Sequence, residues 1–205
     1  MASMRDIQRR KNSITSTQQI TKAMKLVSTI KLQKTRTRAE ESKPYFDYMY
    51  RTVTSMLAMS GTLDHRYLKS GGSGKKAVLV LTSNRGLAGG YNSNVIRMVT
   101  NSDLIPEDTV LYCLGRKGRE GLERKGYPVK ADYSEIMEDP QFSDAKRICE
   151  EVLGSFEKGE ISEIYLAYNS FKNTVVHIPK LLKLLPVEFK EDELNAEENH
   201  TLMNY

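Results

Sequence analysis

Along the first sixty residues the apolar positions fall three and four apart. Ile7, Ile14, Ile20, Met24, Val27 and Ile30 recur at sums of these spacings, and Thr17 and Thr21 fill the same stripe. This is the pattern of a long helix that packs one face on another helix. No glycine or proline interrupts residues 1–43. Ser3 stands three positions before Asp6, a weak capping-box spacing with an acid in the first turn, so the helix is expected to begin there. After Pro44 the pattern resumes with Tyr45, Met49, Val53, Met56 and Leu57. The segment therefore reads as one helix kinked near Pro44 or as two helices end to end, finishing before Gly61. A continuous helix of about 55 residues, at a rise of 1.5 Å each, is a rod of roughly 80 Å. Such a helix is marginal unless its stripe is covered, most often by the other half of an intramolecular hairpin. No second segment supplies that half. From Glu188 onward the chain is acidic, with Glu191, Asp192, Glu193, Glu197 and Glu198 against the single Lys190, and reads as a loop or a disordered tail.

The periodicity changes after the sequence KSGGSGKK at 69–76, which reads as a flexible linker. Ala77–Leu81 is a continuous apolar run of buried-strand type, followed by a helix over 94–101, a strand over 110–114, a short helix over 116–125 and a strand over 129–133. Ser143 opens an amphipathic helix through Ala145, Ile148, Val152 and Phe156, closed by Gly159; a strand over 161–168 follows, then one or two more within 173–187. Alternating strands and helices of these lengths predict an α/β fold: a three-layer, Rossmann-like body with a mostly parallel sheet of about five strands. The expected organisation is a helical arm over 1–60, a linker over 61–76, a body over 77–190 and an acidic tail over 191–205.

Charge sharpens this division. Of the chain's 205 residues, the first 38 hold ten Lys or Arg and one acid, Asp6, a net of +9, whereas the remainder carries −4. A basic arm joined to a mildly acidic body suits a polyanionic or acidic partner. Mean hydropathy is −0.51, no apolar run approaches the roughly 20 residues of a membrane span, and no apolar segment follows the basic start as in a secretory signal. The arm's amphipathic, Arg-rich start could imitate an organelle transit peptide, but its pattern runs on too far.

Little points to catalysis. Cys113 and Cys149 are too few and too far apart for a metal knuckle or a disulfide framework, and both read as small buried hydrophobes. His65, His177 and His200 are scattered without ligand spacing, so neither a metal site nor a catalytic triad assembles, and no cofactor is expected. The glycine loop Asn84–Asn92 follows a strand and leads into a helix, as a phosphate cradle would, but it lacks both nucleotide-binding fingerprints. Gly86, Gly89 and Gly90 are read instead as structural, allowing positive φ and close backbone approach. Gly115, Gly118 and Gly121, among Arg116, Lys117 and Arg119, could hold an anion at a helix start; the competing reading is a surface turn with solvated charges.

Met4-Arg5-Asp6-Ile7 and Ser16-Thr17-Gln18-Gln19-Ile20-Thr21-Lys22-Ala23-Met24 resemble the amino-terminal helix of the γ subunit of F-type ATP synthases. The loop Asn84–Asn92, Leu114-Gly115-Arg116-Lys117-Gly118 and Leu184-Leu185-Pro186 are similar to later signatures of that family, so the resemblance runs the whole length of the chain. It implies a non-catalytic central-stalk rotor subunit, peripheral to the cytoplasmic face of a bacterial membrane. Its partners would be the α, β and ε subunits and the membrane c-ring. Rotation would couple proton flow to ATP synthesis or hydrolysis on β. It further implies that Ile7, Ile14, Thr17, Gln18, Ile20, Thr21, Lys22, Met24, Lys25 and Val27 belong to subunit interfaces. In the family the amino-terminal helix pairs with a long carboxy-terminal helix, which is expected to be absent beyond Tyr205. The alternative reading is a nucleic-acid-binding protein whose arm contacts phosphates through Arg9, Arg10, Lys11, Lys22 and Lys25, although the first aromatic residue, Tyr45, lies far from these charges.

Overall fold

The computed structural model describes residues 3–59, 65–69 and 72–187. The chain divides into two units, Met1–Leu63 and Asp64–Tyr205. The first contains one helix, α1, Met4–Met59, which runs through Pro44 without a break, so of the two sequence readings the single helix holds. Its start is capped in both directions. The Arg5 amide donates to Ser3 Oγ at 3.3 Å, and Asp6 Oδ2 accepts from the Ser3 amide at 3.2 Å. These contacts satisfy donors that the first turn leaves without intrahelical partners.

The second unit is an α/β body. In chain order it holds β1 (Lys75–Leu81), α2 (Tyr91–Thr100), β2 (Thr109–Leu114), α3 (Arg116–Glu123), β3 (Val129–Asp132), α4 (Phe142–Glu157), β4 (Ile161–Phe171) and β5 (His177–Leu185). The strands form one five-stranded sheet in the order β3-β2-β1-β4-β5. All neighbours are parallel except β4 and β5, which pair antiparallel. The first strand begins at Lys75, inside the stretch read as linker. The segment 173–187 yields one strand rather than two, because β4 runs on to Phe171 and turns directly back. In that turn Asn173 Oδ1 accepts from the amides of Val175 at 2.9 Å and Val176 at 2.8 Å. The expected acidic tail over 191–205 lies outside the described residues.

The unbroken apolar run in β1 is explained by burial on both faces. Val78 and Val80 join Val95 and Val99 of α2, Leu122 of α3, and Leu111 and Cys113 of β2 in one core. Ala77 and Leu79 join Tyr112, Ile164 and the α4 residues Ile148, Val152 and Phe156 in another. Helices α2 and α3 therefore cover one side of the sheet and α4 the other, the three-layer arrangement expected. Each fully buried aliphatic side chain in these layers contributes about 1.5–3 kcal/mol.

Cys149 and Ala145 depart from the burial expected of them. Cys113 is buried, but Cys149 is exposed. It follows Ile148 by one position, and one helical step of about 100° carries it off the buried stripe. Ala145 is likewise exposed, so the α4 stripe runs through Ile148, Val152, Ser155 and Phe156.

Candidate subunit-interaction surface

Among the described residues the apolar stripe of the arm is exposed. Ile7 is 54% exposed, Ile14 69%, Ile20 59%, Met24 52% and Val27 55%. Thr17, Gln18, Thr21, Lys22 and Lys25, which share this stretch of α1, are exposed as well. The Thr17 hydroxyl donates to the Ser13 carbonyl at 2.9 Å and the Thr21 hydroxyl to the Thr17 carbonyl at 2.8 Å. With the hydroxyls spent inside their own helix, these threonines act as extensions of the apolar surface.

Beyond Pro44 the exposed apolar surface widens. Phe46, Tyr48 and Tyr50 are exposed together with Tyr45, Met49, Val53 and Met56, and the Phe46 and Tyr50 rings stack with centroids 6.0 Å apart. A search for spacings of three and four selects Tyr45, Met49 and Val53 and passes over the aromatics between them. The missed signal was composition: four aromatics within six residues.

The glycine loop holds its shape through side chains. The Ser83 amide donates to Asn92 Oδ1 at 2.9 Å, and the Ser83 hydroxyl donates to the Arg85 carbonyl at 2.6 Å. Gly89 takes φ +56°, while Gly90 caps α2 with an ordinary φ of −79°. Gly86 has open space around it, and the other positive φ in the loop falls at Leu87, which is 97% exposed.

Helix α3 has no amide left for an anion at its start. Arg116 N–H donates to Asn84 Oδ1 at 3.0 Å, Lys117 N–H to the Ser83 carbonyl at 3.1 Å, and Gly118 N–H to Thr82 Oγ1 at 2.8 Å. The segment following β1 thus occupies the place where an anion would sit at this helix start. Nor is this glycine cluster a solvated surface turn. Gly118 is buried, and a Cβ on Gly115 would lie 2.1 Å from the Thr82 carbonyl oxygen. These glycines are present because α3 is seated directly on the end of β1.

The two described histidines make separate contacts. His65 Nδ1 accepts from the Tyr67 amide at 3.3 Å, His177 meets the Tyr91 ring edge-on at 5.8 Å, and His200 lies outside the described residues. Among the described residues no group of three potential metal ligands occurs, and no helix is long and apolar enough to cross a membrane.

A short strap, residues 65–69, lies against the body. It makes one 3-10 turn, Arg66–Leu68. The Tyr67 carbonyl accepts from the Val187 amide at 2.9 Å, and the Tyr67 hydroxyl donates to Glu157 Oε1 at 3.0 Å. Arg66 Nη2 reaches the same Glu157 oxygen at 2.9 Å. The Tyr67 ring packs beside Phe156 with centroids 6.3 Å apart.

Known proteins match this chain through both the arm and the sheet. A family described as ATP synthase matches residues 3–205. The ATP synthase gamma chain of Lachnoclostridium phytofermentans is 58% identical, over 100% of this chain and 72% of that protein. The gamma chain of Alkaliphilus metalliredigens is 38% identical, over 90% of this chain and 64% of that one. Among solved structures, the central stalk and c-ring of the Tetrahymena thermophila mitochondrial ATP synthase contains a chain similar at a TM-score of 0.62 and 25% identity, covering 89% of this chain and 85% of that chain. These matches favour the stalk reading of the basic arm over the nucleic-acid reading. Since they run through the helix and the sheet alike, the whole of this chain belongs to the ATP synthase γ-chain family.

Proposed function

We propose that the chain works as the rotor of its complex, turning within a ring of α and β subunits above ε and the membrane c-ring. It transmits ion-driven rotation to nucleotide sites on β and is not itself catalytic. The complex holds it at the cytoplasmic face of a bacterial membrane. The observation that carries this reading is the exposed apolar stripe of α1, set in a stretch with ten basic residues and one acid. An exposed stripe of this length requires a partner, and the charge favours surfaces lined with acidic loops. In this division of labour 1–60 is half of an antiparallel coiled-coil shaft, 61–74 the connection that carries the 65–69 strap, the body starts with β1 at Lys75 and runs to 190, and 191–205 is the approach to a second shaft helix. Ile7, Ile14, Thr17, Ile20, Thr21, Met24 and Val27 meet that second helix or the ring, with Gln18, Lys22 and Lys25 at the rim.

The test is co-purification with α and β subunits, comparing this chain with one extended by a family carboxy-terminal helix. Both forms are expected to be retained, the extended one more tightly. If neither is retained, the reading falls. In the assembled extended form, Met24→Lys adds a third charge beside Lys22 and Lys25 and should lower the ratio of ion pumping to ATP hydrolysis with little loss of assembly.

A further inference from the structure

We infer that residues 65–69 form a clasp joining the place where the chain enters the body to the place where it leaves, with Glu157 as its positioning residue. The geometry belongs to the body alone, while its mechanical consequence rests on the rotor reading above.

Three contacts tie Tyr67 to the elements beyond the strap. Its carbonyl takes the Val187 amide, its ring packs beside Phe156, and its hydroxyl donates to Glu157. Glu157 is the last residue of α4, and its Oε1 also receives Arg66, whose guanidinium lies 5.1 Å from the Tyr67 ring centroid. Arg66 is 60% exposed, so the ion pair alone contributes little. Its effect is geometric: one carboxylate oxygen fixes both the phenol and the guanidinium, which holds the Tyr67 ring beside Phe156 and its carbonyl toward Val187. Tyr67 and Val187 both pack on the core beneath α4, beside Phe156 and Leu185.

Two routes lead from the strap into the sheet. The covalent one passes to β1 through Gly72-Ser73-Gly74, and backbone of this composition carries little torsion. The other passes through Tyr67 into the end of α4 and into the residues just after β5. Phe156 of α4 and Leu185 of β5 are core residues, so this second route is anchored in packed structure. A twist reaching residue 65 is therefore delivered to α4 and to the outgoing chain at Val187 together, bypassing the glycine sequence.

The test uses Glu157→Ala, at a helix end where the side chain is 35% exposed, so folding is little affected. Hydrogen exchange at the Val187 amide should accelerate about tenfold, the loss of roughly one hydrogen bond's protection, while the amides of Val78 and Val80 keep theirs. Glu157→Gln retains an acceptor oxygen for Tyr67 and should restore slow exchange. In the complex reconstituted in vesicles with α, β, ε and the c-ring, Glu157→Ala should lower the ratio of ion pumping to ATP hydrolysis and Glu157→Gln should recover it. Unchanged exchange at Val187 in Glu157→Ala overturns the clasp. Faster exchange with an unchanged pumping ratio overturns the force route. If even the parent chain does not assemble with α and β, the rotor reading and the force route fall together, and exchange at Val187 still decides the clasp.

Discussion

A methyl group at position 118 has nowhere to go. It would stand 2.6 Å from Thr82 Oγ1 and 2.8 Å from Thr82 Cγ2. The Thr82 hydroxyl cannot swing aside cheaply, because it accepts from the Gly118 amide and donates to the Gly115 carbonyl. Gly118→Ala is therefore expected to destabilise the body by about 1–3 kcal/mol, read as a lower denaturation midpoint at unchanged slope. Gly86→Ala, with open space and no positive φ, should stay within about 0.5 kcal/mol of the parent. Equal losses at both positions would sink this contrast. Glu163 ties stability to pH. Burial pushes its carboxyl up, but hydrogen bonds from Lys183 and Tyr165 and the charges of Lys183 and Lys76 outweigh this and hold it below the usual carboxylate range. Its folded value lies under its unfolded one, so its stabilisation is complete above the unfolded value of about 4.3 and disappears as pH falls through the folded value. Glu163→Gln should flatten the acid limb of a stability profile against pH; an identical limb would show that another carboxylate governs it.

Elements differ in how far the sequence alone discloses them. Strands β1 and β2 and helix α4 were legible because each contains a run or stripe buried on a predictable face, as with Val78 and Val80 or Ile148 and Val152. The seat of α3 was not, since glycines read the same whether they line a solvated turn or admit a close neighbour; only the distance from Gly118 to Thr82 separates the two. The strap was illegible for a related reason: the Tyr67–Val187 bond joins residues 120 apart in the chain. On the arm the stripe was readable but its cover was not, because a one-sided helix specifies that it needs a partner without specifying which. Exposed as they are, the α1 amides over 7–30 should exchange much faster in the isolated chain than those of β1 and β2. Protection of 7–30 equal to that of the sheet, in a monomer, would contradict this.

At the scale of the whole molecule, the described residues of the two core layers on either side of the sheet all belong to the second unit. A chain beginning at Asp64 is therefore expected to unfold in one cooperative transition near the parent's midpoint. Loss of that transition in thermal or denaturant melts would mean that the body needs the arm to fold. The placement of the two cysteines has a practical consequence for watching such a protein turn. Cys113 is sealed in the core, where burial pushes its thiol up to about 12, whereas Cys149 lies exposed on α4. Partial burial raises the Cys149 thiol as well, so mildly alkaline buffer is needed to generate the reactive thiolate. The native chain should then take up one maleimide, and a second only when denatured. A fluorophore or bead could in this way be fixed to a single point on the body without altering the sequence.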